Sequence, residues 1–229
     1  MLEILKELDP QPFWLSFKLA SFTSVLLFFI SLPLAWYLSQ TKSKIKPFLE
    51  AITAMPIVLP PSVIGFYLLI LFAPDSFLGS IFSNIFGIKP LFSFWGLVIA
   101  SIIYSFPFMV QPLQSGFESL PESVIQASFL SGKGTIKTLF KVALPNIKPS
   151  LITAFIITFA HTIGEFGVVL MVGGSIPGET KVASVEIYEL VESLEYQQAH
   201  IYSAIMVIFS FLILLGVYLV NRSLRLKRW

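Results

Sequence analysis

No cysteine occurs in the 229 residues, which removes a disulfide framework, a thiolate metal site and a cysteine nucleophile together. Charge is scarce as well: 12% of residues are Asp, Glu, Lys or Arg, against about 25% in soluble globular domains. So few charges cannot supply the polar surface that a soluble domain of this length needs. The two histidines, His161 and His200, have no nucleophile cluster around them, which leaves an intramembrane hydrolase without a foundation. No basic leader precedes the first apolar stretch; residues 1–12 carry Glu3, Lys6, Glu7 and Asp9 and read as a short interfacial lead-in, not a cleaved signal peptide. No internal repeat is evident. What the chain does have is apolar residues, 55% of the total with 23 Phe, the reverse of a disordered composition. This is the composition of a membrane protein.

Five apolar runs stand out: Leu19 to Leu38, Phe48 to Phe72, Leu91 to Met109, Leu151 to Val172 and Ile201 to Val220. Each comes near the ~20 helical residues that a hydrocarbon core of ~30 Å requires. The fold expected is an all-α polytopic membrane protein with five transmembrane helices. An odd number puts the ends on opposite sides, and Lys and Arg favour cytoplasmic loops. With the N-terminus outside, the inner segments hold eleven basic residues: Lys42, Lys44, Lys46, Lys133, Lys137, Lys141, Lys148, Arg222, Arg225, Lys227 and Arg228. The outer segments hold three, Lys6, Lys89 and Lys181, with Lys18 at the mouth of the first span. An N-out, C-in topology follows. It places residues 173–200 outside with Glu179, Glu186, Glu189, Glu192 and Glu195; residues 184–198, too charged to face lipid, read as an outer surface helix or a plug near a pore mouth.

Pro56, Pro60 and Pro61 interrupt the second run and should kink or unwind it. Broken backbone is tolerated at membrane depth only where it faces protein or water, so the break serves packing or lines a pathway. The polar segment 114–149 reads as a helix-turn-helix. Ser119 and Glu122 have capping-box spacing with Pro121 in the first turn, and Gly132 suits a left-handed C-cap. A second helix from about Thr135 to Val142, limited by Pro145, carries Lys133, Lys137 and Lys141 on one flank and Ile136, Leu139 and Phe140 on the other, as a membrane-surface helix would. Ser131-Gly132-Lys133-Gly134-Thr135 is no phosphate loop, because residue 127 is Ala, residue 134 is Gly and no strand precedes. This chain is therefore not expected to hydrolyse ATP. His161 and Glu165, four apart on one helical face, form at most half a metal site; Glu165 reads better as a structural or gating carboxylate.

Gln126-Ala127-Ser128, three residues, Gly132, nine residues, Val142, one residue and Leu144-Pro145 resemble, spacing for spacing, the EAA loop of bacterial ABC importer permeases. Gln126, Ser128 and Val142 stand where that pattern has Glu, Ala and Ile. Gly164-Glu165-Phe166-Gly167, then Ser175 to Thr180, and the Leu59-Pro60-Pro61 break are similar to molybdate, tungstate and sulfate permeases. His161 stands where the molybdate members usually have Arg, so a cation there depends on pH. The likeness runs from about residue 13 to 220 and implies a type I ABC importer permease in a bacterial-type plasma membrane. It implies a permease domain over 13–220 with a coupling loop over 114–149, and a basic cytoplasmic tail over 221–229. The substrate it implies is molybdate, then tungstate, then sulfate. Implied partners are a second permease in a homodimer, two cytoplasmic ATPases that hold the ATP and Mg, and an extracytoplasmic oxyanion-binding protein; no cofactor on this chain and no nucleic acid are implied. Glu122, Gln126, Ala127, Ser128, Gly132, Val142, Leu144 and Pro145 would meet the ATPase, and Pro60, Pro61, His161, Gly164, Glu165 and Gly167 would form the path or gate. The rivals are an ATP-independent secondary transporter or channel for a small anion, which would need an ionisable relay across the spans, and a membrane assembly protein, which leaves the loop spacing unexplained.

Overall fold

The computed structural model describes residues 8–87 and 89–226. Within these, every regular element is helical. Helix α1 (Gln11–Gln40) starts where the Asp9 side chain accepts the Gln11 N–H at 2.9 Å. Its 30 residues extend about 45 Å at about 1.5 Å each, more than a bilayer core demands. One face buries Ser16, Ala20, Ser24, Leu27, Ser31 and Ala35. Small side chains at this spacing let another backbone come close, and α5 (Phe94–Glu118) does so with Gly96, Ala100, Ser101 and Ser105 buried along it. Helix α8 (Lys148–Ile163) completes the trio through Ala154, Thr158 and Thr162. At the far end the core becomes bulky: Trp36 meets Phe117 edge to face at 5.1 Å, among Leu38, Met109, Val110 and Leu113.

The second apolar run is two helices. α2 (Lys46–Val58) and α3 (Pro61–Leu71) are bent by 108° at the break. Leu59 and Pro60 each precede a proline, which expels them from the α region; their ψ angles are 135° and 137°. The fourth run also breaks, so a continuous helix over Leu151 to Val172 is corrected to α8 followed by a separate α9 (Gly167–Gly173). Gly164 ends α8, and Phe166 at φ −126°, ψ −65° lies outside helical geometry. The fragments α3 and α9 pack against each other. A Cβ on Gly65 would lie 2.6 Å from that of Met171, and one on Gly167 would lie 2.9 Å from that of Pro61.

The remaining elements are α4 (Phe77–Phe86), capped by Ser76; α6 (Glu122–Leu130); α7 (Thr135–Asn146); α10 (Ala183–Glu192); and α11 (Tyr196–Leu226). Residues 184–198 thus belong largely to α10 and the start of α11. α10 packs on α1 and α11, with the Ala183 N–H donating to Ser16 Oγ at 2.9 Å. Among the described residues three helices, α1, α5 and α11, are individually long and apolar enough to cross a membrane, and the number reaches five if the bent pairs α2–α3 and α7–α8 each count as one. Within α11, 11% of the apolar window is buried, against 50% in α1 and 56% in α5, which makes α11 the most peripheral of these three. Residues 1–7 of the expected lead-in and 227–229 of the expected tail lie outside the described residues; α11 continues helical through 221–226.

Candidate functional site

The polar loop starts later than its composition suggested. α5 runs on past Met109 to Glu118, so the hairpin is α6 and α7 and not the whole of 114–149. The capping box does not form. Ser119 belongs to the end of α5, its N–H donating to the Ser115 carbonyl and its Oγ to that of Gly116 at 2.7 Å. Pro121 takes the N-cap position instead, with no side chain to accept a bond. Glu122 is exposed and accepts from the Gln126 amide at 3.2 Å.

Between the two helices Gly132, at φ 73°, makes the left-handed turn. Its N–H donates to Phe129 and that of Lys133 to Ser128 at 3.2 Å, the bond pair of a Schellman motif. The turn folds Ser128 inward, where it is buried and hydrogen-bonded to Thr138 Oγ1 at 2.9 Å. Ser128 therefore braces the hairpin, while Ala127 beside it stays exposed. α7 contains a π turn over Leu139–Ala143, with the Leu144 N–H reaching the Leu139 carbonyl. Pro145 offers no N–H to Lys141, and the Asn146 side chain caps the Val142 carbonyl at 2.8 Å. Lys133 precedes α7, which leaves Lys137 and Lys141 as the helical part of the lysine stripe. Ile125, Leu139, Ala143 and Ile147 join the core of α1 and α5. Val142 and Leu144 are half-buried and Pro145 exposed.

Outward the hairpin presents an apolar tip that the spacing alone did not single out. Leu130 is 90% exposed, Ile136 73% and Phe140 58%, with Phe129 beside them. The i, i+4 spacing of Ile136 and Phe140 is the signal for it in the sequence; Leu139, on the same expected flank, turns to the core.

A second site lies at the break after α8. Glu165 is in the non-helical link, so it does not share a helical face with His161. It is buried, its backbone carbonyl accepts from Ser184 Oγ at 2.6 Å, and its carboxylate, with Ser101 alongside, has no partner at hydrogen-bonding geometry among the described residues. His161 turns to α5: Nδ1 is 3.0 Å from Ser105 Oγ, and the ring stacks on Phe108 at 3.9 Å. Gly167 thus meets Pro61 at the α3–α9 contact, while Glu165 and His161 both lie against α5, Glu165 beside Ser101 and His161 against Ser105, Tyr104 and Phe108; Gly164 has only its own helix's carbonyls nearby. Among the described residues no three His, Asp or Glu side chains converge as a metal cluster would.

On the loop before α10, Lys181 lies 2.5 Å from Glu186 and 2.8 Å from Glu189. Burial lowers the Lys181 ammonium, but both carboxylates outweigh it and hold it above its ordinary 10.5. Burial pushes Glu189 up, yet Lys181 outweighs it and holds the carboxyl below 4.5.

A helical membrane bundle with two broken runs and an anchored hairpin between them is built like the membrane subunit of a type I ABC importer. A bacterial ABC transporter involved in the import of the acidic polysaccharide alginate matches with a TM-score of 0.75 at 15% identity, over 93% of this chain and 78% of that one. The inward-facing MetNI methionine ABC transporter matches with a TM-score of 0.72 at 18% identity, over 97% of this chain and 99% of that one. The chain belongs to the family described as the binding-protein-dependent transport system inner membrane component, whose model matches residues 28–227. The molybdenum transport system permease protein ModB of Azotobacter vinelandii is 46% identical, covering 93% of this chain and 95% of that protein. A putative molybdenum transport system permease, YvgM of Bacillus subtilis, is 32% identical over 89% of each. A probable sulfate transport system permease, cysT of Chlorella vulgaris, is 30% identical over 92% of this chain and 80% of that one. The chain is thus an ABC importer permease of an inner-membrane family.

Proposed function

We propose that this chain is the membrane-spanning subunit of an ATP-driven importer of a tetrahedral oxyanion, with molybdate the first substrate, then tungstate and sulfate. It works as a homodimer with its N-terminus outside. An external binding protein delivers the anion, and two cytoplasmic ATPases, which hold the ATP and Mg, seat on the hairpins. The observation that carries the coupling is the apolar tip of Leu130, Ile136 and Phe140 on a hairpin whose other face is locked into the core. Such exposed apolar surface in a polar segment suits a partner's groove. Glu122, Gln126 and Ala127 flank the tip on the exposed side of α6, and Gly132, Ser128, Val142, Leu144 and Pro145 set its angle. Rigid-body motion of the ATPases would then move α5 and α8, which the hairpin joins. The break residues Pro60, Pro61, Gly164, Glu165 and Gly167 form the gate, with His161 bracing α8 on α5. A buried carboxylate repels an oxyanion, so Glu165 acts in gate architecture and not as a ligand. The substrate ranking is supported by the molybdenum permeases among the relatives.

The test is copurification and uptake. The solubilised chain should retain an ATPase, and placing acidic side chains at the exposed positions Ala127 and Leu130, in a segment 126–132 that has no charge of its own, should abolish both retention and ATP-dependent uptake. Uptake untouched by that change would sink the coupling role. A partner binding protein that retains sulfate far better than molybdate would reverse the substrate order.

A further inference from the structure

Where α5 ends and α2 begins, four polar side chains close a ring. Lys46 Nζ lies 2.9 Å from Glu118 Oε1 and 3.7 Å from Glu50 Oε1. Gln114 Nε2 donates to Glu50 Oε1 at 2.6 Å and to Glu118 Oε1 at 3.0 Å. Neither helix places these charges to its own benefit. Lys46 is the first residue of α2, at the positive end of that helix's dipole, and Glu118 is the last residue of α5, at the negative end. Each is unfavourable on its own helix and favourable only toward the other. The side chains are 26%, 38% and 42% exposed for Lys46, Glu50 and Glu118, so the ring contributes little to stability. What it sets is the position of α2 on α5. Two carboxylates share one ammonium and one amide; without the cation they repel and push the helix ends apart.

The ring also sits on a continuous route. α5 passes through residues 119–121 into the hairpin, and α2 leads through the 108° bend to α3, which grips α9 at Gly65 and Pro61 beside Glu165. We propose that Lys46, Glu50, Gln114 and Glu118 form a latch that makes α2 follow α5, so that movement of the hairpin reaches the paired half-helices at Glu165. These are positioning residues, and the proposal rests on the importer reading above.

The test uses the assembled transporter, permease with its ATPase and binding protein, in liposomes. Molybdate uptake and ATP hydrolysis are measured together for Lys46→Gln, Glu118→Gln and the exchanged pair Lys46→Glu with Glu118→Lys. The exchange keeps two carboxylates around one ammonium and puts each charge at the helix end its dipole favours. The single variants are expected to keep hydrolysis but lose at least about fivefold in molybdate moved per ATP, and the exchanged pair to recover most of that loss. Unchanged uptake per ATP in both single variants overturns the latch, as does an exchanged pair no better than the singles. Wild-type uptake that ignores ATP would overturn the importer reading itself, which the variant ratios alone do not touch.

Discussion

At the scale of single residues, two neighbours on α6 should separate stability from docking. Ser128→Ala removes a buried hydrogen bond and orphans Thr138, so it is expected to cost about 1 kcal/mol or more, read as a lower unfolding midpoint of the solubilised chain. Leu130→Ala, at an exposed position, should change stability by less than about 0.5 kcal/mol, leaving that midpoint nearly unmoved, yet sharply reduce the ATPase that copurifies. The Lys181 cluster makes a pH prediction. A raised Lys181 contributes stability that is full below 10.5 and is lost as pH rises through its folded value. A lowered Glu189 contributes stability present above 4.5 and lost as pH falls through its folded value. Stability from this cluster should therefore be flat near neutrality and decline at both extremes, and Lys181→Met should abolish the acid-side decline due to Glu189 while costing about 1–2 kcal/mol at pH 7.

At the scale of elements, the α3–α9 contact has almost no slack. Gly65→Ala forces a Cβ to within 2.6 Å of Met171 and should cost about 1–3 kcal/mol as overpacking. Gly216→Ala, with open space around it, should be neutral or gain up to about 1 kcal/mol from helix propensity; parallel thermal melts check both. Some of this was legible beforehand. Pro60 and Pro61 announced a break because the restriction on a residue before proline is local, and Gly132 announced its turn for the same reason. Its magnitude, a bend that folds α3 back, was not legible, since it depends on α9. Ser119 and Glu122 misled because α5 continued through Ser119 and claimed its hydroxyl. Glu165 leaves the helical face of His161 because α8 stops at Gly164. The ring at Lys46 had no local trace, joining residues 64 and 72 positions apart.

At the scale of the molecule, the charge asymmetry makes orientation directly measurable, and the absence of native cysteine supplies a clean background. Ser131→Cys on the hairpin should react with a membrane-impermeant maleimide only from the inside, and Gln197→Cys only from the outside; the reverse pattern would invert the topology. The buried polar stripe of α1 has a consequence for how the chain is made. Ser16, Thr23, Ser24 and Ser31 find their cover in α5, α8 and α10, all synthesised later. In order of synthesis α1 therefore precedes every helix that encloses its small polar face, and only Ser16, bonded to the Pro12 carbonyl of its own helix, has its hydroxyl satisfied from the start. α11, last out, is the least enclosed of the three long helices and can join after the others have met.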